Sequence, residues 1–287
     1  MGEVVYLNGC LIPRGQASIS AMDYGFLYGF GLFETMRAYG GRVFCLDRHL
    51  SRLERSAEIL EIPVEGLVLE GAVMDTIRAN KLGDARVRLT VSIGEGGVVP
   101  DPGGCGRATV LIVAEHYLPH PEQAYKKGFR AIVSSIRRNS QSPLSRLKSA
   151  NYLDSMLARQ EARKAGVDEA LCFNEKGLLS EASMSNIFLV VDGILKTPAQ
   201  ENGILPGVTR EVILELASQL GIDTIEDDIK LDELLQAEEA FLTSSLVELM
   251  PLVEVSGRTI GSGRPGLLTE RLLEAYRKLV FTEETAN

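Results

Sequence analysis

Cysteine and histidine are scarce in this chain of 287 residues, and their spacing argues against two kinds of site. The four cysteines are scattered without a C-x-x-C pair, and a chain of this length can be stable without disulfide bonds, so we expect free and mostly buried thiols. Among the three histidines, the closest pair is His116 and His120, with Pro119 between them. Proline interrupts a helix, so these two rings are not expected to share a helix face as metal ligands, and a transition-metal hydrolase is not indicated.

Long apolar runs and an excess of basic residues are also missing. The longest apolar stretches, such as 110–114 and 187–191, are far shorter than the roughly 20 residues that cross a bilayer. The first residues carry Glu3 but no basic region ahead of an apolar segment. With 30 Lys+Arg against 39 Asp+Glu, the formal net charge is -9, which disfavours broad binding to nucleic-acid phosphates. We therefore expect a soluble cytoplasmic protein that binds neither membranes nor nucleic acid.

The remaining composition is that of an ordinary globular protein, with 45% hydrophobic and 24% charged residues. At about 150 residues per domain, the length predicts two domains. We place a small N-terminal domain at 1–117 and a larger domain at 126–287. The linker between them is predicted at 118–125, where two prolines disfavour the continuation of a helix or a strand.

Turn and helix signals predict an α+β fold. Asn8-Gly9 and Gly40-Gly41 supply the positive φ angles that two-residue hairpin turns require. Asp47 is expected to cap a helix, because the apolar residues after it recur at helical spacing. Further helices are predicted over 67–81, 151–164, 208–220 and 267–279, and a strand-rich stretch over 224–260. Strands joined mostly by hairpins, with helices set apart from them, indicate α+β rather than a doubly wound parallel sheet.

Generic nucleotide and hydrolase motifs do not explain the chain. The segment 261–266 matches G-x-G-x-x-G, but only 21 residues follow it, too few for a helix, a second strand and a ribose-binding acid. Neither a P-loop nor a G-x-S-x-G elbow occurs. Dinucleotide binding, P-loop phosphoryl transfer and α/β-hydrolase chemistry therefore lack their local signatures.

Three short segments are suited to binding a phosphate without making the whole protein basic. The segment 49–53 places the Arg52 guanidinium on the first turns of a helix, and 206–209 opens a helix whose N–H groups attract anions. The segment 243–245 ends a strand in hydroxyl groups. Lys148 stands directly before a helix in otherwise apolar and small surroundings, where a lysine amine can serve as a nucleophile toward carbonyls. Taken singly, Arg52 and Lys148 are also explained as solvated surface residues.

Seven ordered segments, running nearly the full length of the chain, together resemble the fold-type IV pyridoxal-phosphate (PLP) enzymes. This family includes branched-chain aminotransferases, D-amino-acid transaminases, (R)-amine transaminases and aminodeoxychorismate lyase. The segments are 33–37 (FETMR), 49–53 (HLSRL), 148–153 (KSANYL), 168–171 (DEAL), Glu181 with 185–188 (SNIF), 205–210 (LPGVTR), and 243–245 (TSS) with 248–251 (ELMP). The resemblance implies a small N-terminal α+β domain, a larger C-terminal domain with a barrel-like sheet that binds PLP, and the cofactor in the cleft between them.

The resemblance also implies roles for individual residues around PLP. Lys148 matches the lysine that bonds to the cofactor and afterwards moves a proton between it and the substrate Cα. Glu181 matches the carboxylate facing the pyridine nitrogen, where a negative charge keeps the ring protonated. Tyr152 matches the tyrosine beside the phenolic oxygen of the cofactor. The expected phosphate-binding residues are Arg52, Val208, Thr209, Ser244 and Ser245.

The substrate side is implied less sharply. The family positions that line it are occupied by Tyr28, Phe33, Thr35, Arg86 and Arg88, and Tyr28 is expected to reach across the interface of a homodimer. Arg88 falls where branched-chain enzymes bind the side-chain carboxylate of glutamate. Three residues depart from the branched-chain pattern, which commonly has tyrosine at Arg86, glycine at Thr35 and glycine at Ala182. Thr35 resembles the lyase, and two arginines in one pocket also suit the α-carboxylate of a D-amino acid.

From this resemblance we expect a PLP-dependent aminotransferase, with branched-chain L-amino acids and 2-oxoglutarate as first substrates. Aminodeoxychorismate lyase is the first alternative, and a D-amino-acid or (R)-amine transaminase is the next. A catalytically silent protein that only binds the vitamer is disfavoured, because it would have lost the lysine or the acid, and both Lys148 and Glu181 are present.

Overall fold

The computed structural model describes residues 3–285, and the contacts within it divide the chain into two compact units. The first unit holds the chain up to Leu118, the segment Leu147–Asn151 and the chain from Glu283 onward, and the second holds Pro119–Arg146 and Tyr152–Thr282. The segment Leu147–Asn151 thus belongs to the first unit, although it falls inside the range 126–287 that the sequence assigned to one domain. The predicted linker also differs, because a short helix starts inside it at Glu122.

The first unit is built on a six-stranded sheet in which every neighbouring pair is antiparallel. The strand order is β2-β1-β6-β5-β3-β4. Its elements are β1 (Val4–Leu7), β2 (Cys10–Pro13), α1 (Tyr24–Tyr28), β3 (Gly31–Tyr39), β4 (Arg42–Val43), α2 (Leu46–Ile59), α3 (Leu69–Ala79), β5 (Ala85–Ser92) and β6 (Thr109–His116). Apolar residues of β3, β5 and β6 pack with those of α2 and α3 to form the core of this unit.

The two predicted hairpins of this unit are confirmed, and the predicted helix cap is wrong. The turn residues Asn8 and Gly9 both have positive φ, as do Gly40 and Gly41. The second strand of the latter hairpin ends already at Val43, and the chain turns in a left-handed conformation one residue before α2 begins at Leu46. Asp47 therefore lies within the first turn, where its charge favours the helix dipole without capping it.

The second unit is built on a nine-stranded mixed sheet. The order is β12-β11-β10-β13-β14-β7-β8-β9, with β15 paired to β14, and the pairs β11/β12, β14/β7 and β7/β8 are parallel. The elements are α4 (Glu122–Lys127), β7 (Phe129–Arg138), α5 (Leu153–Ala165), β8 (Glu169–Asn174), β9 (Leu179–Ala182), β10 (Asn186–Val191), β11 (Ile194–Pro198), α6 (Val208–Gln219), β12 (Thr224–Asp227), α7 (Leu231–Gln236), β13 (Glu239–Ser244), β14 (Glu248–Val255), β15 (Arg258–Thr259) and α8 (Leu267–Thr285).

The nine-stranded sheet curls, because β9 at one end of the hydrogen-bonded order lies against β10 and β11 near the other end. The prediction of an α+β fold with a barrel-like sheet is confirmed. Two local predictions need correction. A short helix, α7, interrupts the predicted strand-rich stretch 224–260. Helix α5 begins at Leu153 rather than at Asn151, whose side-chain amide instead donates to the Gly29 carbonyl at 2.9 Å.

Within the described range 3–285, no helix combines the length and the apolar character that a membrane span requires. The position of the protein in the cell stays a prediction from the sequence. All four cysteines are free thiols, and Cys45 and Cys172 are buried.

Candidate active site

Lys148 is held against strand β3 of the first unit. The Lys148 carbonyl accepts a hydrogen bond from the Phe33 N–H at 2.9 Å, and the Ala150 N–H donates to the Gly31 carbonyl at 2.8 Å. Ser149 forms an isolated β-bridge with Leu32 between them. This short stretch of backbone pairing explains why Leu147–Asn151 belongs to the first unit. It fixes the backbone of Lys148 beside Phe33, and the Lys148 Nζ lies 4.9 Å from the centre of the Phe33 ring.

One face of the β3–β5 pair brings three of the predicted substrate residues together. Thr35 is paired directly with Arg88 in the antiparallel register, and Phe33 lies one pair further along the same face. The Arg88 guanidinium carbon lies 3.9 Å from the centre of the buried Phe33 ring. Two cationic groups, from Arg88 and Lys148, therefore contact the same aromatic ring. This surface is apolar at its centre and positively charged at its edges.

The other two predicted substrate residues lie elsewhere in the first unit. Arg86 is exposed and pairs in register with Arg37, and it makes no ion pair with any of residues 3–285. Tyr28 ends helix α1 and is 46% exposed, with its ring edge-on to the buried Tyr24 at 4.9 Å between centres. Neither side chain has a recorded contact with the Phe33 ring, so their assignment to the substrate side stays a prediction.

Arg52 lies on α2 and is buried against a carboxylate of β3. Its Nε donates to Glu34 Oε1 at 2.8 Å and its Nη2 to Glu34 Oε2 at 2.6 Å, so two parallel bonds fix the plane of the guanidinium. His49 Nδ1 lies 2.8 Å from the same Glu34 Oε2. Burial alone would raise the pKa of Glu34, but the charge of Arg52 and the hydrogen bonds from both partners outweigh it and lower the pKa to about 2. Glu34 is therefore an anion at neutral pH.

The sequence reasoning missed Glu34 and His49. Glu34 is the one acidic residue in β3, and it alternates with apolar residues on the face that packs against the helices. An acid at a core position requires a cationic or hydrogen-bonding partner. This signal was readable, and Arg52 on the following helix was the nearest candidate. Burial lowers the pKa of His49 despite the opposing effect of Glu34, so His49 is neutral at pH 7.

Glu181 of β9 is the centre of a buried polar cluster in the second unit. Its Oε1 lies 2.8 Å from Arg138 Nη2. Its Oε2 accepts hydrogen bonds from Asn186 Nδ2 at 3.0 Å and from the Leu205 N–H at 3.1 Å. Burial would lower the pKa of Arg138, but Glu181 and further anionic neighbours raise it above its ordinary value. Arg138 and Asn186, which the sequence reasoning did not single out, thus hold one oxygen each of the predicted pyridine-binding carboxylate.

Tyr152 directly precedes α5, and its hydroxyl donates to the Ser183 carbonyl at 3.4 Å. Burial and the nearby charge of Glu181 raise the pKa of Tyr152 to about 12. The hydroxyl therefore stays protonated at neutral pH and serves as a hydrogen-bond donor.

The predicted phosphate-binding residues of the second unit lie at the start of a helix and at the end of a strand. Val208 and Thr209 are the first two residues of α6, which follows Gly207 without a side-chain cap. Ser244 is the last residue of β13, and Ser245 begins the turn after it. A helix start without a side-chain cap offers N–H groups to an anion, and the hydroxyls add donors.

The described side chains fit the two charged ends of PLP. Glu181 is an anion suited to a protonated ring nitrogen, and Arg52 is a cation suited to a phosphate. The buried hydroxyl of Thr243, beside Ser244, has no hydrogen-bond partner within residues 3–285. Leaving such a group unsatisfied costs about 1–3 kcal/mol, which a bound acceptor would recover. Thr243 pairs in register with Asn186, the partner of Glu181.

Comparison with known proteins defines the class of protein. Residues 31–255 match the model of the family described as amino-transferase class IV. A putative branched-chain-amino-acid aminotransferase of Methanocaldococcus jannaschii is 40% identical over 278 residues, which cover 96% of either chain. The aminodeoxychorismate lyase of Bacillus subtilis is 35% identical over 285 residues, covering 96% of this chain and 94% of that protein.

A solved structure points the same way. It is a branched-chain amino acid aminotransferase, of the source abbreviated T.th., with pyridoxamine 5′-phosphate. Its TM-score is 0.92 at 31% identity, and the match covers 98% of this chain and 94% of that one. The chain belongs to the class IV aminotransferases. It is a PLP-dependent transaminase.

Proposed function

We propose that this transaminase moves the amino group between branched-chain L-amino acids and 2-oxoglutarate. The observation that carries the proposal is the stacking of Arg88 on Phe33 beside Lys148. An aliphatic side chain needs apolar surface, and glutamate needs a cation for its distal carboxylate at the same place. A guanidinium that rests flat on an aromatic ring exposes a weakly hydrated surface, and it can also turn its N–H groups toward a carboxylate. The branched-chain enzymes among the relatives support this choice.

In the proposed mechanism the residues of both units act on one molecule of PLP. When bound, PLP accepts the electron pair that remains after the substrate Cα loses its proton. The Lys148 amine bonds to the cofactor, is displaced by the substrate, and then moves the proton from the Cα. Glu181 holds a proton at the ring nitrogen, and Tyr152 donates a hydrogen bond to the phenolic oxygen. Arg52, Val208, Thr209, Ser244 and Ser245 bind the phosphate.

Arg88→Leu is expected to separate the two substrates. The half-reaction with glutamate or 2-oxoglutarate should lose about 1.5–3 kcal/mol, the range for a hydrogen bond to a charged group, whereas leucine should be much less affected. Each half-reaction is measured from the absorbance change of the bound cofactor. Arg86→Leu is the matched comparison, because it removes an arginine from the same face of the same strand, two residues away. Equal losses for leucine and glutamate in Arg88→Leu would contradict the role given to this arginine.

Aminodeoxychorismate lyase is the second candidate, and two observations favour it. Thr35, the residue that resembles the lyase, lies directly opposite Arg88. One relative of similar identity is also named as this enzyme. A lyase eliminates pyruvate from its substrate and needs no keto-acid acceptor. Release of pyruvate from aminodeoxychorismate well above the rate of amino-group exchange would overturn the transaminase assignment, and a screen with L-Leu, L-Glu, D-Ala, D-Glu and an (R)-amine tests the remaining substrate classes.

Arg52→Ala is expected to weaken cofactor binding far more than it slows the reaction at saturating PLP, since the proposed partner of Arg52 is a phosphate that does not react. The structure adds a second effect. The variant leaves Glu34 buried without its cation, and breaking a buried ion pair costs about 3–5 kcal/mol of folding stability.

Both effects are measurable on one set of proteins, through the dissociation constant of PLP and the midpoint of urea unfolding. Arg55→Ala, an exposed arginine on the same helix, is the control and should change neither. A PLP dissociation constant equal to that of the wild type would remove Arg52 from the phosphate site.

We also propose that the protein is a homodimer. The support is an exposed apolar stretch at α1, where Phe26 is 76% exposed and Leu27 and Tyr28 are exposed as well. Large apolar side chains grouped in this way are typical of an interaction surface. A second copy of the chain is the proposed partner, with Tyr28 contributing to the substrate site of its neighbour.

A further inference from the structure

Asn186, the first residue of β10, links two parts of the second unit that are proposed to bind opposite ends of the cofactor. Its side-chain amide nitrogen donates to Glu181 Oε2 at 3.0 Å and to the Leu205 carbonyl at 2.9 Å. The Leu205 N–H returns to the same Glu181 oxygen at 3.1 Å. Glu181, Asn186 and the Leu205 peptide therefore form a closed, buried hydrogen-bonded triangle.

The oxygen of the same amide lies against the start of α6. A Cβ on Gly207 would lie 2.0 Å from Asn186 Oδ1, so only glycine leaves room for the amide in its present position. The backbone of Gly207 has φ -77° and ψ 132°, a conformation open to any residue. The glycine is thus required by the approach of Asn186 and not by its own backbone. Leu205 and Gly207 lead directly into Val208 and Thr209.

We propose that Asn186 is a positioning residue that sets the spacing between the Glu181 carboxylate and the N-terminus of α6. This inference rests on the proposed roles of Glu181, Val208 and Thr209 in cofactor binding. A rigid cofactor that bonds at its ring nitrogen and at its phosphate gains from both anchors only if their separation matches its own length. One amide that hydrogen-bonds to both elements holds that separation before the cofactor arrives. Its two donors are also saturated by buried acceptors, so it cannot rotate without leaving one of them unpaired.

A double-mutant cycle on the full-length protein tests the link. Asn186→Ala and Gly207→Ala are each expected to raise the dissociation constant of PLP by at least about tenfold. The double variant should equal Asn186→Ala within about twofold, because the alanine at 207 then has no amide to displace. A further tenfold rise in the double variant would show that Gly207 acts independently of Asn186 and would overturn the proposal. So would an unchanged constant in Asn186→Ala.

The matched control is Asn202→Ala. Asn202 is as deeply buried in the same unit, and its amide binds Asn174 and Asp228 rather than Glu181. It should lower the unfolding midpoint while leaving the PLP dissociation constant within about twofold of the wild type. If Asn202→Ala weakens PLP binding as much as Asn186→Ala, the effect of Asn186 is general destabilisation and the proposal is wrong.

Pyridoxal, which lacks the phosphate, provides a readout that a purely structural role would not produce. A residue that matches two anchors matters most to a ligand that uses both. Asn186→Ala should therefore raise the dissociation constant of pyridoxal at least about threefold less than that of PLP. An equal rise for both ligands would mean that Asn186 serves Glu181 alone and would overturn the proposal.

Glu181→Gln distinguishes failure of this inference from failure of the site on which it rests. If Glu181→Gln raises the PLP dissociation constant and Asn186→Ala does not, only the inference fails. If neither variant changes PLP binding, the assignment of Glu181 to the cofactor fails, and the inference fails with it.

Discussion

Replacing Lys148 with alanine is expected to abolish turnover while the protein keeps part of its affinity for PLP. The residues proposed to bind the phosphate and the ring nitrogen are other side chains, so the cofactor still has its non-covalent partners. Loss of proton transfer alone accounts for a decrease of about 10²–10⁴-fold in rate, and loss of the covalent bond to the cofactor adds to it. The rate with leucine and 2-oxoglutarate and the PLP dissociation constant are the two measurements.

The position of Lys148 makes this prediction specific. Its backbone is paired with β3, so alanine at this position should leave the segment Leu147–Asn151 in place. Added methylamine, which supplies a free amine to the vacated space, should restore part of the activity of the variant. Lys176→Ala, in an exposed turn of the second unit, is the control and should retain the wild-type rate. Normal catalytic cycling by Lys148→Ala would remove this lysine from the mechanism.

Local turn chemistry was predictable from the sequence, because the residues that decide it are adjacent. The hairpin β1–β2 follows from Asn8 and Gly9, whose positive φ angles suit no other arrangement as well. The start of α6 at Val208 was placed correctly after a proline and a glycine. The cap at Asp47 failed because the preceding strand ends after two residues, which is decided by how β4 pairs with β3 and not by local preference.

The polar clusters of the candidate site were only partly predictable. The resemblance pointed to Arg52 and Glu181, but not to Glu34 and Arg138, their buried partners. Each pair joins elements that the fold brings together from separate places in the chain, so spacing along the sequence carries no direct record of it. The requirement that a buried charge be paired predicts that such a partner exists, and the tertiary structure decides which residue it is.

Neutralising the acid of the second unit is expected to slow the reaction strongly without preventing cofactor binding. Glu181→Gln keeps the size of the side chain and removes the charge that favours a protonated ring nitrogen. The loss of one preorganised electrostatic partner of a transition state typically costs about 10²–10³-fold in kcat. Glu181→Gln should therefore lower kcat by this order at saturating PLP, measured with leucine as donor. Glu181→Asp, which keeps the charge, should lose less.

The surroundings of Glu181 allow the electrostatic effect to be separated from loss of structure. In Glu181→Gln the Arg138 guanidinium stays buried without its anion, which costs about 3–5 kcal/mol of stability, measured by urea unfolding. The double variant Glu181→Gln/Arg138→Gln removes both charges and should regain much of that stability. It should not regain kcat, because no carboxylate faces the ring nitrogen. If kcat returns together with stability, Glu181 supports the fold of the second unit and has no direct electrostatic role in the reaction.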